Sequence, residues 1–261
     1  MRNLFDGHPE LFVVPTESHF FQNTGFWVSY YFRRTQPKKM SYEEMKTALI
    51  NWIYFVDKKS NYRADGFTAG KWNKELFYQS MQAGAVNSLK ELSDLYIQSM
   101  YYALYQKPIG DVRFVEKSVE NAEFVLEWQQ LYPDAQFVHI LRNPYSNLLA
   151  IRKYLNGKSF PFIKHAVLSM YNSYYFLYKN LNLVNSDKYK VIIYDDLLAE
   201  PATTLKSVCS FLNIEYNDGL LTPSVLGEEW KGNRHGRIWE GGKDEGQGRI
   251  FLVRCEERPR E

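Results

Sequence analysis

The sequence predicts an α/β fold: a mostly parallel sheet flanked by helices. Short apolar segments of strand length alternate with longer stretches in which apolar residues recur every three or four positions. In addition, 261 residues with 45% hydrophobic and 24% charged side chains suit one large core rather than a disordered or fibrous chain. In sheets of this kind ligands lie beyond the carboxyl ends of the strands, so candidate chemistry is sought there.

Taken in order, Glu10 to Pro15 reads as a buried strand bounded by His8-Pro9 and by Pro15 itself. Ser41 caps a helix carrying Met45, Leu49, Ile50 and Ile53, and Leu89, Leu92, Tyr96, Met100 and Ala103 keep helical spacing through a longer one. Val112 to Glu116 is strand-like. Asn121 to Tyr132 is helical, with Phe124, Trp128 and Leu131 on one stripe, and Gln136 to Leu141 is a strand. Pro144, suited to a first turn, opens the next helix. An aromatic helix from about Phe162 to Leu183 leads to a strand at Tyr189 to Tyr194. A helix from Pro201 to Asn213 follows, with Leu205, Val208, Phe211 and Leu212 inward. After Gly232 the chain turns glycine-rich and charged with no helical period. The expected organisation is a domain over 1–233, with a helical section at about 25–109, and an irregular tail over 234–261.

Composition narrows the function. A formal net charge of +2, from 32 basic and 30 acidic residues, gives no global field for nucleic acid or an anionic membrane, so an anion site must be local. Two cysteines form neither a disulfide framework nor a zinc motif and suit a reducing compartment. With no signal or membrane-spanning stretch in these residues, a cytoplasmic location is expected. The 20 Tyr and 17 Phe read as core and surface rather than as a stacking site.

Gly157-Lys158-Ser159 does not make a triphosphate loop, because Gly-x-x-x-x-Gly-Lys-Ser/Thr needs glycine where Arg152 stands, after a strand that is absent. His-Glu-x-x-His, Gly-x-Gly-x-x-Gly and Gly-x-Ser-x-Gly are missing too, and the five histidines, lacking ligand spacing, read as core or surface rather than metal ligands. The informative stretch is Val138-His139-Ile140-Leu141-Arg142-Asn143-Pro144-Tyr145-Ser146. Here a strand delivers an arginine to its carboxyl end where a proline opens a helix. A helix start offers unpaired N–H groups and partial positive charge, and the guanidinium fork suits phosphate. The other reading of Arg142 is an ion pair with a carboxylate at the sheet edge.

Phe114-Val115-Glu116-Lys117-Ser118, followed by Leu131-Tyr132-Pro133-Asp134-Ala135-Gln136 and the Val138 to Pro144 stretch, resembles the central block of sulfotransferases. Tyr194-Asp195-Asp196-Leu197 with Pro201 and its helix, Trp230-Lys231-Gly232-Asn233, and Asp6 to Ser18 are similar to further elements of that family, in the same order. The resemblance implies a P-loop-NTPase-like sulfotransferase fold, with 3′-phosphoadenylyl sulfate as donor, no metal, and a small-molecule, glycan or peptide acceptor.

Residue by residue, Arg142 matches the arginine of the donor's 3′-phosphate. The serine usual eight positions later is Ala150 here, and Ser146, Arg152 and Lys153 either compensate or line a solvated helix face. Tyr194 matches a tyrosine near the adenine or else packs in the core, and Gly232 and Asn233 complete the expected donor contacts. On the acceptor side Glu17 is similar to the catalytic glutamate of the tyrosylprotein branch, with helix capping as its other reading. Lys117 matches a site lysine, with an ion pair as its other reading. Relatives carry a Pro-Arg-Ser-Gly-Thr-Thr-like loop for the 5′-phosphosulfate before the helix matching Met1 to Asp6. No stretch of these residues replaces it, so the expectation is weak or absent transfer by this chain, with a noncatalytic nucleotide-binding remnant as the alternative.

Overall fold

The computed structural model describes residues 1–29, 37–58, 71–154, 160–230 and 255–256. Helix α1 (Arg2–Phe5) leads into strand β1 (Leu11–Val13) and helix α2 (Phe20–Asn23). The helical section follows as α3 (Tyr42–Lys58), α4 (Lys74–Ala83) and α5 (Leu89–Tyr105). Strands then alternate with helices: β2 (Arg113–Glu116), α6 (Val125–Leu131), β3 (Phe137–Leu141), α7 (Pro144–Tyr154), α8 (Phe160–Leu183), β4 (Tyr189–Ile193), α9 (Tyr194–Ala199) and α10 (Pro201–Leu212). A short antiparallel pair, β5 (Ser224–Val225) and β6 (Glu228–Glu229), comes next. No helix among the described residues is long and apolar enough to cross a membrane.

Local chemistry sets the helix starts. Ser41 and Glu44 form a reciprocal capping box, in which the Glu44 N–H donates to Ser41 Oγ and the Ser41 N–H to Glu44 Oε2. Asn73 and Ser88 cap α4 and α5 through their side-chain oxygens. The expected helix from Asn121 begins later, at Val125, because Ser118 to Phe124 make successive turns. Helix α4 falls within the expected helical section; its buried residues are Phe77 and Met81, too few for a clear stripe in the sequence.

Strands β1 and β2 pair in parallel with Val13 opposite Val115, and β3 and β4 pair in parallel with Leu141 opposite Ile193. Among the described residues the two pairs are not hydrogen-bonded to each other. Apolar layers unite them on both faces. Leu11, Val13 and Val115 share one layer with Val138, Ile140 and Ile192, while Phe12 and Phe114 share the other with Phe137 and Tyr189. This alternation is what strands covered on both faces require. The tail, expected to be irregular, contributes strand β7 (Cys255–Glu256), antiparallel to β2 and alongside β3.

The aromatic residues divide as expected between core and surface. Phe21 stacks on Phe124 at 4.6 Å and meets Trp128 edge-on at 4.9 Å, while Tyr145 and Tyr178 stand well exposed. Arg113 is buried at the start of β2, donating to the Leu212 carbonyl at 2.5 Å and to Gln136 Oε1 at 3.2 Å. It thereby satisfies the carboxyl end of α10. Arg113→Ala leaves those acceptors buried without a donor, and urea unfolding should show a loss of about 2 kcal/mol.

Candidate functional site

Each of four predicted site residues follows the carboxyl end of a different strand: Glu17 after β1, Lys117 after β2, Arg142 after β3 and Tyr194 after β4. They meet as two pairs. Parallel pairing brings the segments after Val13 and Val115 side by side, so the Lys117 Nζ donates to Glu17 Oε1 across 100 residues of sequence. Both side chains are buried, at 8% and 5% exposure, which makes this a desolvated ion pair rather than a surface one. The helix-capping alternative for Glu17 is not realised, since no helix begins at it.

Three residues absent from the sequence prediction complete this half. His19 holds a left-handed backbone conformation, φ 47°, which turns the chain so that its ring lies beside Glu17. Its Nε2 is 3.0 Å from Glu17 Oε2, close but off-line for a hydrogen bond. Its Nδ1 is 2.6 and 2.8 Å from the two oxygens of Glu120. Glu116 anchors the turn from below. Its Oε1 accepts from the Ser18 N–H at 3.2 Å, Ser18 Oγ at 2.7 Å and Ser118 Oγ at 2.6 Å, and its Oε2 accepts from Asn121 Nδ2. Burial pushes the Glu116 carboxyl above the usual carboxylate range, against the pull of these hydrogen bonds. Glutamates and a histidine just past strand ends were the available signal, and treating the histidines as scattered missed it.

The helical section reaches this half through α3. The Trp52 Nε1–H donates to the Glu17 carbonyl at 2.7 Å, and the indole meets His19 edge-on at 4.7 Å and stacks on the partly exposed Phe55 at 5.5 Å. Glu17, His19 and Glu120 stand in a row rather than converging on one point. Among the described residues no three His, Cys, Asp or Glu side chains are gathered to hold a metal.

In the other half the Arg142 guanidinium lies over the Tyr194 ring, its Cζ 5.0 Å from the centroid. Among the described residues Arg142 Nε and Nη1 are buried with no hydrogen-bond partner, and no carboxylate pairs with the guanidinium. The start of α7 is capped by Asn143, whose Oδ1 accepts from the N–H groups of Tyr145 and Ser146 at 2.9 and 3.3 Å. Those donors, expected to face an anion, are therefore engaged, and the guanidinium is the group left wanting an acceptor. Ala150 lies one turn beyond Ser146 on α7. Gly232 and Asn233, with the tail from 234 apart from β7, lie outside the described residues, and nothing is described of the Arg152 and Lys153 side chains.

Strand ends that deliver a carboxylate, an ammonium and an acceptor-seeking arginine match the order of motifs in the sequence. The sequence profile of the sulfotransferase family matches residues 1–218. The chain belongs to the sulfotransferase family. Its P-loop-like α/β architecture is shared with the sulfotransferase domain of the Synechococcus PCC 7002 olefin synthase, at 18% identity and a TM-score of 0.51, covering 87% of this chain and 73% of that one. The sulfotransferase domain from the curacin biosynthetic pathway is similar at 17% identity and a TM-score of 0.49, covering 96% and 78%. No curated protein matches the chain.

Proposed function

We propose that the chain binds 3′-phosphoadenylyl sulfate and directs its sulfuryl group to a hydroxyl or amine on a small-molecule, glycan or peptide acceptor. The observation that carries the reading is Arg142, whose buried Nε and Nη1 lack acceptors beside Tyr194. A 3′-phosphate satisfies both nitrogens through charge-assisted bonds, and the tyrosine ring beneath supports the nucleotide. Ser146, Gly232 and Asn233 are assigned to the same donor. In the transfer, the acceptor's proton passes to Glu17 as its oxygen or nitrogen bonds to sulfur. The bond from sulfur to the bridging phosphate oxygen breaks, and its electron pair stays on the phosphate of the departing adenosine 3′,5′-bisphosphate. Lys117 neutralises the charge that develops there. The Trp52 and Phe55 rings beside Glu17 offer the acceptor an apolar wall.

Nucleotide binding is the decisive measurement. Calorimetric titration with adenosine 3′,5′-bisphosphate should show saturable binding that weakens between about ten- and a hundredfold in Arg142→Ala, the range for losing a charged hydrogen-bonding partner. Equal binding by both proteins would remove the basis of the reading.

A further inference from the structure

The Glu17–Lys117 pair makes a contradiction for a proton acceptor. A proton acceptor must be basic, yet the buried Lys117 ammonium on Glu17 Oε1 stabilises the carboxylate's charged form and makes it a poorer base. The donor-site reading assigns the same ammonium to the donor's 5′ charge. Of the neighbouring carboxylates, Glu116 accepts from Ser18, Ser118 and Asn121, and Glu120 faces His19.

We infer that Lys117 is a switch between two anions. In the free protein it pairs with Glu17. When the sulfated nucleotide arrives it turns to the 5′-phosphosulfate, and Glu17, released, becomes the proton acceptor. Through the exchange Lys117 keeps a counter-charge, and Glu17, left without its own, regains neutrality by taking the acceptor's proton. Lys117 leaves one anion for another, so it is never buried alone. Glu17 stays in place because the Trp52 Nε1–H donates to its backbone carbonyl at 2.7 Å, which makes Trp52 a positioning residue. The sequence of events is fixed: the donor binds first, and only then is the acceptor's proton taken. A bound acceptor without donor meets a neutralised carboxylate. This rests on the donor-site reading above.

The consequence for binding is that the donor competes with Glu17 for Lys117. Removing the Glu17 charge without its shape, as Glu17→Gln, should tighten 3′-phosphoadenylyl sulfate and adenosine 3′,5′-bisphosphate on the order of tenfold, within the range of coupling for close charge pairs. It should leave adenosine 3′-monophosphate, which has no 5′ group, unchanged. Lys117→Met, similar in length and uncharged, should weaken the two 5′-charged nucleotides several-fold, again sparing the monophosphate. In the double variant Glu17→Gln with Lys117→Met the gain should vanish, since the pair acts as one unit. If Glu17→Gln does not fold, Lys117→Met against the monophosphate control carries the test. Binding that is lost in Arg142→Ala but indifferent to both Glu17→Gln and Lys117→Met overturns the switch and leaves the donor site standing. Binding of all three nucleotides shifted equally by Lys117→Met also overturns it, because that is general loss of structure. Absence of nucleotide binding by the unaltered chain overturns the donor site and the switch together.

Discussion

Glu116→Ala is expected to be the most damaging single change in the molecule, lowering unfolding free energy by about 3–5 kcal/mol, the upper range for disrupting a buried network. The carboxylate is 1% exposed and receives the Ser18 N–H, the Ser18 and Ser118 hydroxyls and the Asn121 amide. Truncation strands these donors in a volume that water enters poorly. The hydroxyls can rotate, but the Ser18 N–H is fixed by the turn, and Asn121 is held at its other end by the Trp128 indole N–H at 3.2 Å. The damage should not stay local, because Ser118 Oγ also accepts the His19 N–H at 3.0 Å. The turn that carries Glu17 and His19 loses its footing with the network. Glu116→Gln keeps size and one acceptor oxygen but sets an amide against Asn121 and should lose only about 1–2 kcal/mol. Urea unfolding of the three proteins orders them. Hydrogen exchange at residues 17–19 should accelerate in Glu116→Ala well beyond the global change. A loss below about 1 kcal/mol would show that the network is not a main support of the fold.

How much of this was open to sequence reasoning depends on distance along the chain. Arg142 was legible because its determinants are local: an apolar strand ends, a proline starts a helix, and the residue between them is an arginine. Even so, Asn143 was read past. As an N-cap it takes the N–H groups that the helix start was expected to offer an anion. Glu17 and Lys117 were each named from their motifs, but their meeting is set by the β1 and β2 register, which no spacing in the sequence encodes. A helix running from Asn121, as the sequence spacing predicts, would put Glu120 just before its start. Instead the Asn121 side chain bridges Glu116 and Trp128, the backbone turns, and Glu120 is left facing His19. Polar side chains that bond across the fold override the local propensities of their own segment.

His139 gives the second large effect, and it is a pH effect. On β3, three residues before Arg142, its ring is buried between Tyr189, whose oxygen is 2.5 Å from Nδ1, and Ser173, whose Oγ is 3.0 Å from Nε2. Neither neighbour carries charge to support an imidazolium, and burial pushes the ring down from 6.5 to about 4. The unfolded chain therefore takes up a proton that the folded chain refuses. Stability from this source is complete above about pH 6.5, falls as pH drops through the window, and levels off below about 4. With roughly 1.4 kcal/mol per pKa unit, the loss is about 2 kcal/mol by pH 5 and about 3 kcal/mol at the acid limit. Glu116 acts in the opposite sense, since a raised carboxyl takes up its proton more readily when folded, and its contribution is lost as pH rises from the ordinary carboxylate value. Above the ordinary carboxylate value the two slopes oppose each other, so the unaltered chain alone does not display the histidine's share. His139→Gln removes the titration while keeping hydrogen-bonding atoms near Tyr189 and Ser173. It should be less stable than the unaltered chain at pH 7 and should recover about 2 kcal/mol relative to it at pH 5. Urea unfolding at the two pH values measures this difference. Parallel losses in the two proteins would mean that the buried imidazole takes its proton without cost, and that the layer beneath Arg142 is wetter than its burial indicates.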